Sequence, residues 1–157
     1  MCYNFQMSSS LFKMSQTFHI NDQSVTVSRD SQEKCFVVRP LGFINEVDAT
    51  LYLPFQDGLF IHDTKDCLDF LSKHYDSLKQ QAIPAIAAMA LVGGFWGKRM
   101  AETPKLDLVW ARVVQWSEEA NDLHFDLAFN DAERDTYTLW ITSFRGTALT
   151  GTRREAW

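Results

Sequence analysis

Cysteine is scarce in this chain and poorly spaced for pairing. Cys2, Cys35 and Cys67 are odd in number and no two lie close together, which excludes a disulfide framework and a zinc site built from cysteines. Long apolar runs are missing as well. The longest, Ala82–Val92, falls well short of the ~20 residues that a membrane-spanning helix requires. No positive charge precedes Lys13, and no continuous apolar segment follows it in the manner of a secretory leader; the expected location is cytoplasmic. Clustered basic charge is confined to the pairs Lys98-Arg99 and Arg153-Arg154. Nucleic acid is therefore not an expected partner, because phosphate neutralisation needs grouped Lys and Arg.

Familiar catalytic signatures are also absent. The chain has no Gly-x-Ser-x-Gly, His-Glu-x-x-His, Cys-x-x-Cys or Gly-x-Gly-x-x-Gly. Gly93-Gly94-Phe95-Trp96-Gly97-Lys98 comes nearest to a phosphate loop, but its spacing is short and Arg99 stands where a metal-binding hydroxyl belongs. The glycines read better as the stop of a helix. No cofactor and no metal is expected.

What the chain has in quantity is apolar and aromatic surface. Of its 157 residues 46% are hydrophobic and 22% charged, with 12 Phe and 5 Trp, at a net charge of −5. That is globular composition in the size range of one domain. Residues 1–16 show no period and predict a flexible N-terminal segment, leaving 17–157 as a single domain.

The period of the hydrophobic residues then sets the fold class. Phe18 and Ile20 face Val25 and Val27 across Asn21-Asp22, a hairpin pattern, and Cys35–Val38 reads as a third strand. Val47, Ala49, Leu51 and Leu53 alternate up to Pro54, and Leu59–Ile61 resumes as strand after the turn residues Gln56-Asp57-Gly58. Cys67, Phe70, Leu71, His74, Tyr75 and Leu78 recur at helical spacing, with Asp63 or Thr64 placed to cap. Pro84 predicts a break, so that Ala85–Val92 forms a second, wholly covered helix. From Leu106 to Thr152 three alternating segments separated by polar breaks predict an antiparallel meander. The expected fold is α+β: an antiparallel sheet from N- and C-terminal β blocks, with a helical pair at about 64–92 packed on one face.

Candidate function residues come from the polar parity of the meander. Leu123, Phe125, Leu127 and Phe129 alternate with Asp122, His124 and Asp126, a polar row in which His124 and Asp126 are the candidates for acid–base work. Such a row equally describes a solvated sheet face. With Tyr137, Leu139 and Ile141 taken as inward, Trp140 and Phe144 face outward as an aromatic platform. Trp96 and Trp157 are further contact candidates. With Asp122, Asp126, Asp131 and Glu133 at its border, the platform suits a basic protein partner.

These readings predict a non-enzymatic protein-binding module, such as an immunity protein or inhibitor that masks a basic enzyme or toxin. Partner contacts fall to Trp140, Phe144, Asp122, His124, Asp126 and Trp96. One alternative is a small enzyme or ligand-binding protein, with a pocket between helix and sheet using His124 and a carboxylate. Another is a structural subunit of a larger assembly.

Overall fold

The computed structural model describes residues 15–30, 32, 34–54, 61–93, 105–115, 123–131 and 135–156. Eight strands form one sheet in chain order: β1 (Ser15–Ile20), β2 (Gln23–Asp30), β3 (Cys35–Val38), β4 (Thr50–Pro54), β5 (Asp107–Gln115), β6 (His124–Asp131), β7 (Asp135–Arg145) and β8 (Ala148–Ala156). Neighbours are antiparallel except for β4 and β5, which run parallel. A parallel pair cannot be closed by a hairpin, and α1 (Ile61–Val92), the one α-helix among the described residues, lies between them in sequence. Two four-stranded meanders thus meet edge to edge, joined through a helical crossover.

Local chemistry explains the tight connections. Asn21 and Asp22 both adopt positive φ (48° and 61°) between Ile20 and its cross-strand partner Gln23. That is the geometry two-residue hairpin turns favour, since its twist matches that of the strands. Gly146, at φ 57°, starts the corresponding turn between Arg145 and Ala148. A 3₁₀ turn at Gly42–Ile44 follows β3.

The helix buries Cys67, Leu68, Phe70, Leu71, Tyr75, Leu78, Ala82, Ile86 and Ala90 in one stripe. The expected pair of helices is corrected to one: α1 runs unbroken through Pro84. Proline deprives the Gln80 carbonyl of its helical partner, but Gln80 and Pro84 are both exposed, so water can serve that carbonyl. Ala82, Ile86 and Ala90 carry the buried stripe past the proline on the opposite side, which offsets a local cost of about 3 kcal/mol. The covering expected for the second half is also corrected, since Leu91 and Val92 are 58% and 90% exposed. Ile61 opens α1 instead of ending a strand, and residues 55–60, with the turn at Gln56-Asp57-Gly58, lie outside the described residues.

Both edges of the sheet touch this helix. In the β1–β2 turn, Asn21 donates to Ser72 Oγ, and Gln81 Nε2 donates to Thr147 O in the β7–β8 turn (3.1 Å). Ser72 and Gln81 are about 14 Å apart along the axis at 1.5 Å per residue. A flat sheet of eight strands would be about 34 Å wide at ~4.8 Å per strand. The sheet must therefore curl around α1, enclosing the main core on its concave side and leaving its convex side without a helix among the described residues.

Trp140 and Phe144 point into that core. They are 1% and 2% exposed and belong to the same apolar cluster as the helix stripe. Phe144 stacks on Phe125 (centroids 5.4 Å, 12° between planes), and Phe125 meets Phe70 of α1 edge-on at 5.8 Å. The expected parity of β7 is thus reversed, and both of its faces are apolar: Leu139 and Ile141 look to the convex side, where they pack with Ala128, Val109 and Trp110. Trp140 and Phe144 share the core-facing parity with Thr138 and Thr142. Both threonines are buried and hydrogen-bonded, Thr142 Oγ1 donating to Leu127 O (3.3 Å) and Thr138 Oγ1 accepting from Arg154 (3.2 Å). Satisfied threonines do not mark a solvated face.

Candidate functional site on the helix-free face of the sheet

Register assembles the convex face from residues far apart in sequence. β5 carries two irregularities, between Leu108 and Trp110 and between Val113 and Gln115. Each extra residue shifts the side-chain alternation by one. Leu108, Ala111 and Val113 consequently look into the core, while Trp110 and Arg112 emerge on the other side. Two rows then cross five strands. One is Tyr52, Arg112, Asp126, Ser143 and Gly151; the next is Thr50, Trp110, Ala128, Ile141 and Arg153.

The middle of the first row is a closed polar network. Ser143 Oγ donates to Asp126 Oδ1 (2.6 Å), and Arg153 Nη2 donates to Asp126 Oδ2 (2.9 Å). The same guanidinium donates through Nη1 to Ser143 Oγ (3.1 Å) and through Nε to Glu155 Oε1 (3.1 Å). Asp126, only 8% exposed, has both oxygens occupied. The Arg153 guanidinium is held above its ordinary range, first by the hydrogen bond to Asp126. Buried carboxylates are costly unless matched in this way.

Arg112 is placed differently. Its guanidinium lies 5.2 Å from the ring centroid of Trp110 and 5.6 Å from that of Tyr52. The side chain is exposed, and no hydrogen bond or ion pair joins it to another described residue. Aromatic faces attract a cation and restrict its rotamers without using its N–H groups. The row thus presents a cation held in place with its donors still available. At the other end Gly151 has no side chain, and a Cβ built there meets nothing within 4 Å.

Of the residues singled out in the sequence, His124 (half-buried) and Asp126 do share this face, β6 alternating as expected with Phe125, Leu127 and Phe129 inward. Asp131 is 1% exposed. Asp122, Glu133, Trp96 and Trp157 lie outside the described residues, as do residues 1–14. Of the expected acidic border, Asp126 is matched by Arg153 and Asp131 is buried, and the exposed charge beside Asp126 is Arg112. Sequence reading passed over Arg112, Tyr52, Arg153, Ser143 and Gly151. Trp110-x-Arg112 was a usable signal, since residues two apart share a strand face, but Tyr52 joins them only through the parallel β4–β5 register.

Elsewhere, Tyr75 Oη and Lys79 Nζ both donate to Glu46 Oε1 (2.5 and 2.6 Å), tying α1 to the segment after the 3₁₀ turn. Burial raises the Tyr75 phenol far above its usual range, with the Glu46 hydrogen bond adding to the effect. Burial likewise pushes the Cys67 thiol up to about 12, so this cysteine packs as a small apolar group. Among the described residues no cluster of three His, Cys, Asp or Glu could hold a metal ion, and no helix is long and apolar enough to cross a membrane. Comparison with protein-family models, curated proteins and solved structures finds no match to this chain.

Proposed function

We propose that this chain is a non-enzymatic protein-binding module that docks through the helix-free face of β4–β8, in the manner of an immunity protein or inhibitor that works by covering its partner. The observation carrying the reading is the exposed Arg112, held against the half-buried rings of Trp110 and Tyr52 beside the half-buried Val109. Arg and aromatic residues with limited rotamer freedom are the groups that dominate protein interfaces, because they lose little entropy on binding. The Asp126–Ser143–Arg153 network supports the same reading. It fixes the polar side chains in the middle of the face, and Asp126 spends its acceptors on that task.

Gly151 provides the test. A bulky side chain there fits the free protein, since a Cβ meets nothing within 4 Å, and glycine in a strand interior is itself mildly unfavourable. Gly151→Trp should therefore melt at or above the wild-type temperature. It should also lose the proteins that immobilised wild type captures specifically from its native source. Equal capture by wild type and Gly151→Trp would refute this docking face.

A further inference from the structure

We infer that Arg112 is the anchor for a carboxylate, so that this face takes an acidic segment of its partner; the inference rests on the docking role of the face proposed above. The geometry selects the ligand in three steps. First, the two rings hold the guanidinium while leaving its N–H groups unpaired among the described residues, and its fork matches the two oxygens of a carboxylate.

Second, the nearest acid in register, Asp126, is turned to Ser143 and Arg153 and makes no ion pair with Arg112. Third, Glu155 is drawn to Arg153 from the other side, which leaves Arg112 as the cation of this row with no acid assigned to it. The Arg112 guanidinium, its donors unused, suits one monoanion, whereas Arg39, also exposed near this face, gives its Nε to Thr50 Oγ1 (2.7 Å). Phosphate chains bind through many cations together, and here Arg153 is already committed to two carboxylates.

The half-buried Trp110 and Val109 would meet apolar residues flanking the partner's acid. A chain with net charge −5 repels an acidic partner from most of its surface, which favours the approach that meets Arg112.

The probe is a capped Leu-Glu-Leu tripeptide, with capped Leu-Gln-Leu as its neutral control and inorganic phosphate as a competing anion. Nitrogen-15 spectra of the arginine side chains report binding at each guanidinium separately. The Glu peptide should move the Arg112 Nε–H resonance in a saturable way. Gln peptide and phosphate should bind at least ten times more weakly. Arg112→Lys, which keeps the charge but not the fork, should weaken the Glu peptide several-fold, read from backbone resonances of Trp110. Equal affinity for Glu and Gln peptides, tighter binding of phosphate, or movement of Arg153 in place of Arg112 would each overturn the inference.

The two proposals fail separately. If Gly151→Trp abolishes capture while the Glu peptide leaves Arg112 unmoved, the face docks a partner without this anchor. If the peptide binds Arg112 while Gly151→Trp captures normally, Arg112 is an anion site and the docking face is refuted.

Discussion

Replacing Trp140 by alanine tests the parity of β7 directly. Trp140 is 1% exposed, pairs across the ladder with Phe129 (0% exposed), and belongs to the cluster that includes the α1 stripe. Removing a buried Trp typically costs about 3–5 kcal/mol, combining lost transfer free energy with the cavity left behind. For a chain of this length 1 kcal/mol moves the melting temperature by roughly 2–4 °C, so Trp140→Ala should melt about 6–20 °C lower. It should keep a cooperative transition unless total stability is at the low end of the usual ~5–15 kcal/mol. Tyr137 is the internal control. It lies on the same strand at the opposite parity and is 77% exposed, so Tyr137→Ala should stay within about 0.5 kcal/mol of wild type. Urea unfolding followed by far-ultraviolet circular dichroism measures both without relying on the lost fluorophore. A Trp140→Ala loss below about 1 kcal/mol together with a larger loss for Tyr137→Ala would refute the assignment of faces.

Two further outcomes follow from buried polar groups. The Tyr75 phenol has its folded pKa raised above the ordinary 10.0, so the folded state holds that proton more tightly than the unfolded chain. Its contribution is complete below about pH 10 and falls as pH rises beyond that value; in denaturant titrations from pH 7 to 11, Tyr75→Phe should show a shallower alkaline loss than wild type, and parallel curves would count against the linkage. Thr64 is 0% exposed, and its Oγ1 has no partner among the described residues. An unmatched buried hydroxyl costs about 1–3 kcal/mol, so Thr64→Val should raise the unfolding free energy by about 1 kcal/mol, and a lower value would show that the hydroxyl has an undetected role.

Much of the fold was legible because its signals are local. The Asn21-Asp22 hairpin, the helical stripe from Cys67 to Leu78 and the alternation of β6 need only neighbours within a few residues, and the structure has all three. The misreadings occurred where local signals were balanced or where the deciding partner is distant. In β7 both parities are apolar, so the choice between Leu139/Ile141 and Trp140/Phe144 depends on which face meets α1. The larger rings fill the space between curled sheet and helix. Pro84 is a strong local break signal, overridden by a buried stripe that continues from Ala82 to Ala90. The irregularity at Val109 inverts parity within β5, so that Leu108 and Ala111 face the core while Val109 and Trp110 do not. Of the site, His124 and Asp126 were visible as a polar row. The Arg112 cluster was not, because Tyr52 reaches it across a crossover and Arg153 determines whether Asp126 is available.

The curl of the sheet explains why its binding chemistry falls on one side. A single helix about 10 Å across can cover a sheet of eight strands only if the sheet bends around it, and the contacts of Asn21 and Thr147 with α1 show that it does. Bending turns Phe125, Phe129, Trp140 and Phe144 inward and leaves the convex side with a mixture: Ala128, Leu139 and Ile141 packed together, and Ser143, Gly151 and Arg112 beside them. On such a surface two arginines of the same type take opposite roles. Arg153 satisfies Asp126, Ser143 and Glu155 and so belongs to the fold. By occupying Asp126 it also removes the acid that register places beside Arg112, leaving Arg112 to the two aromatic rings and to an acceptor from outside. The availability of Arg112 is thus a consequence of how its neighbours are paired, and exposure alone would not single it out.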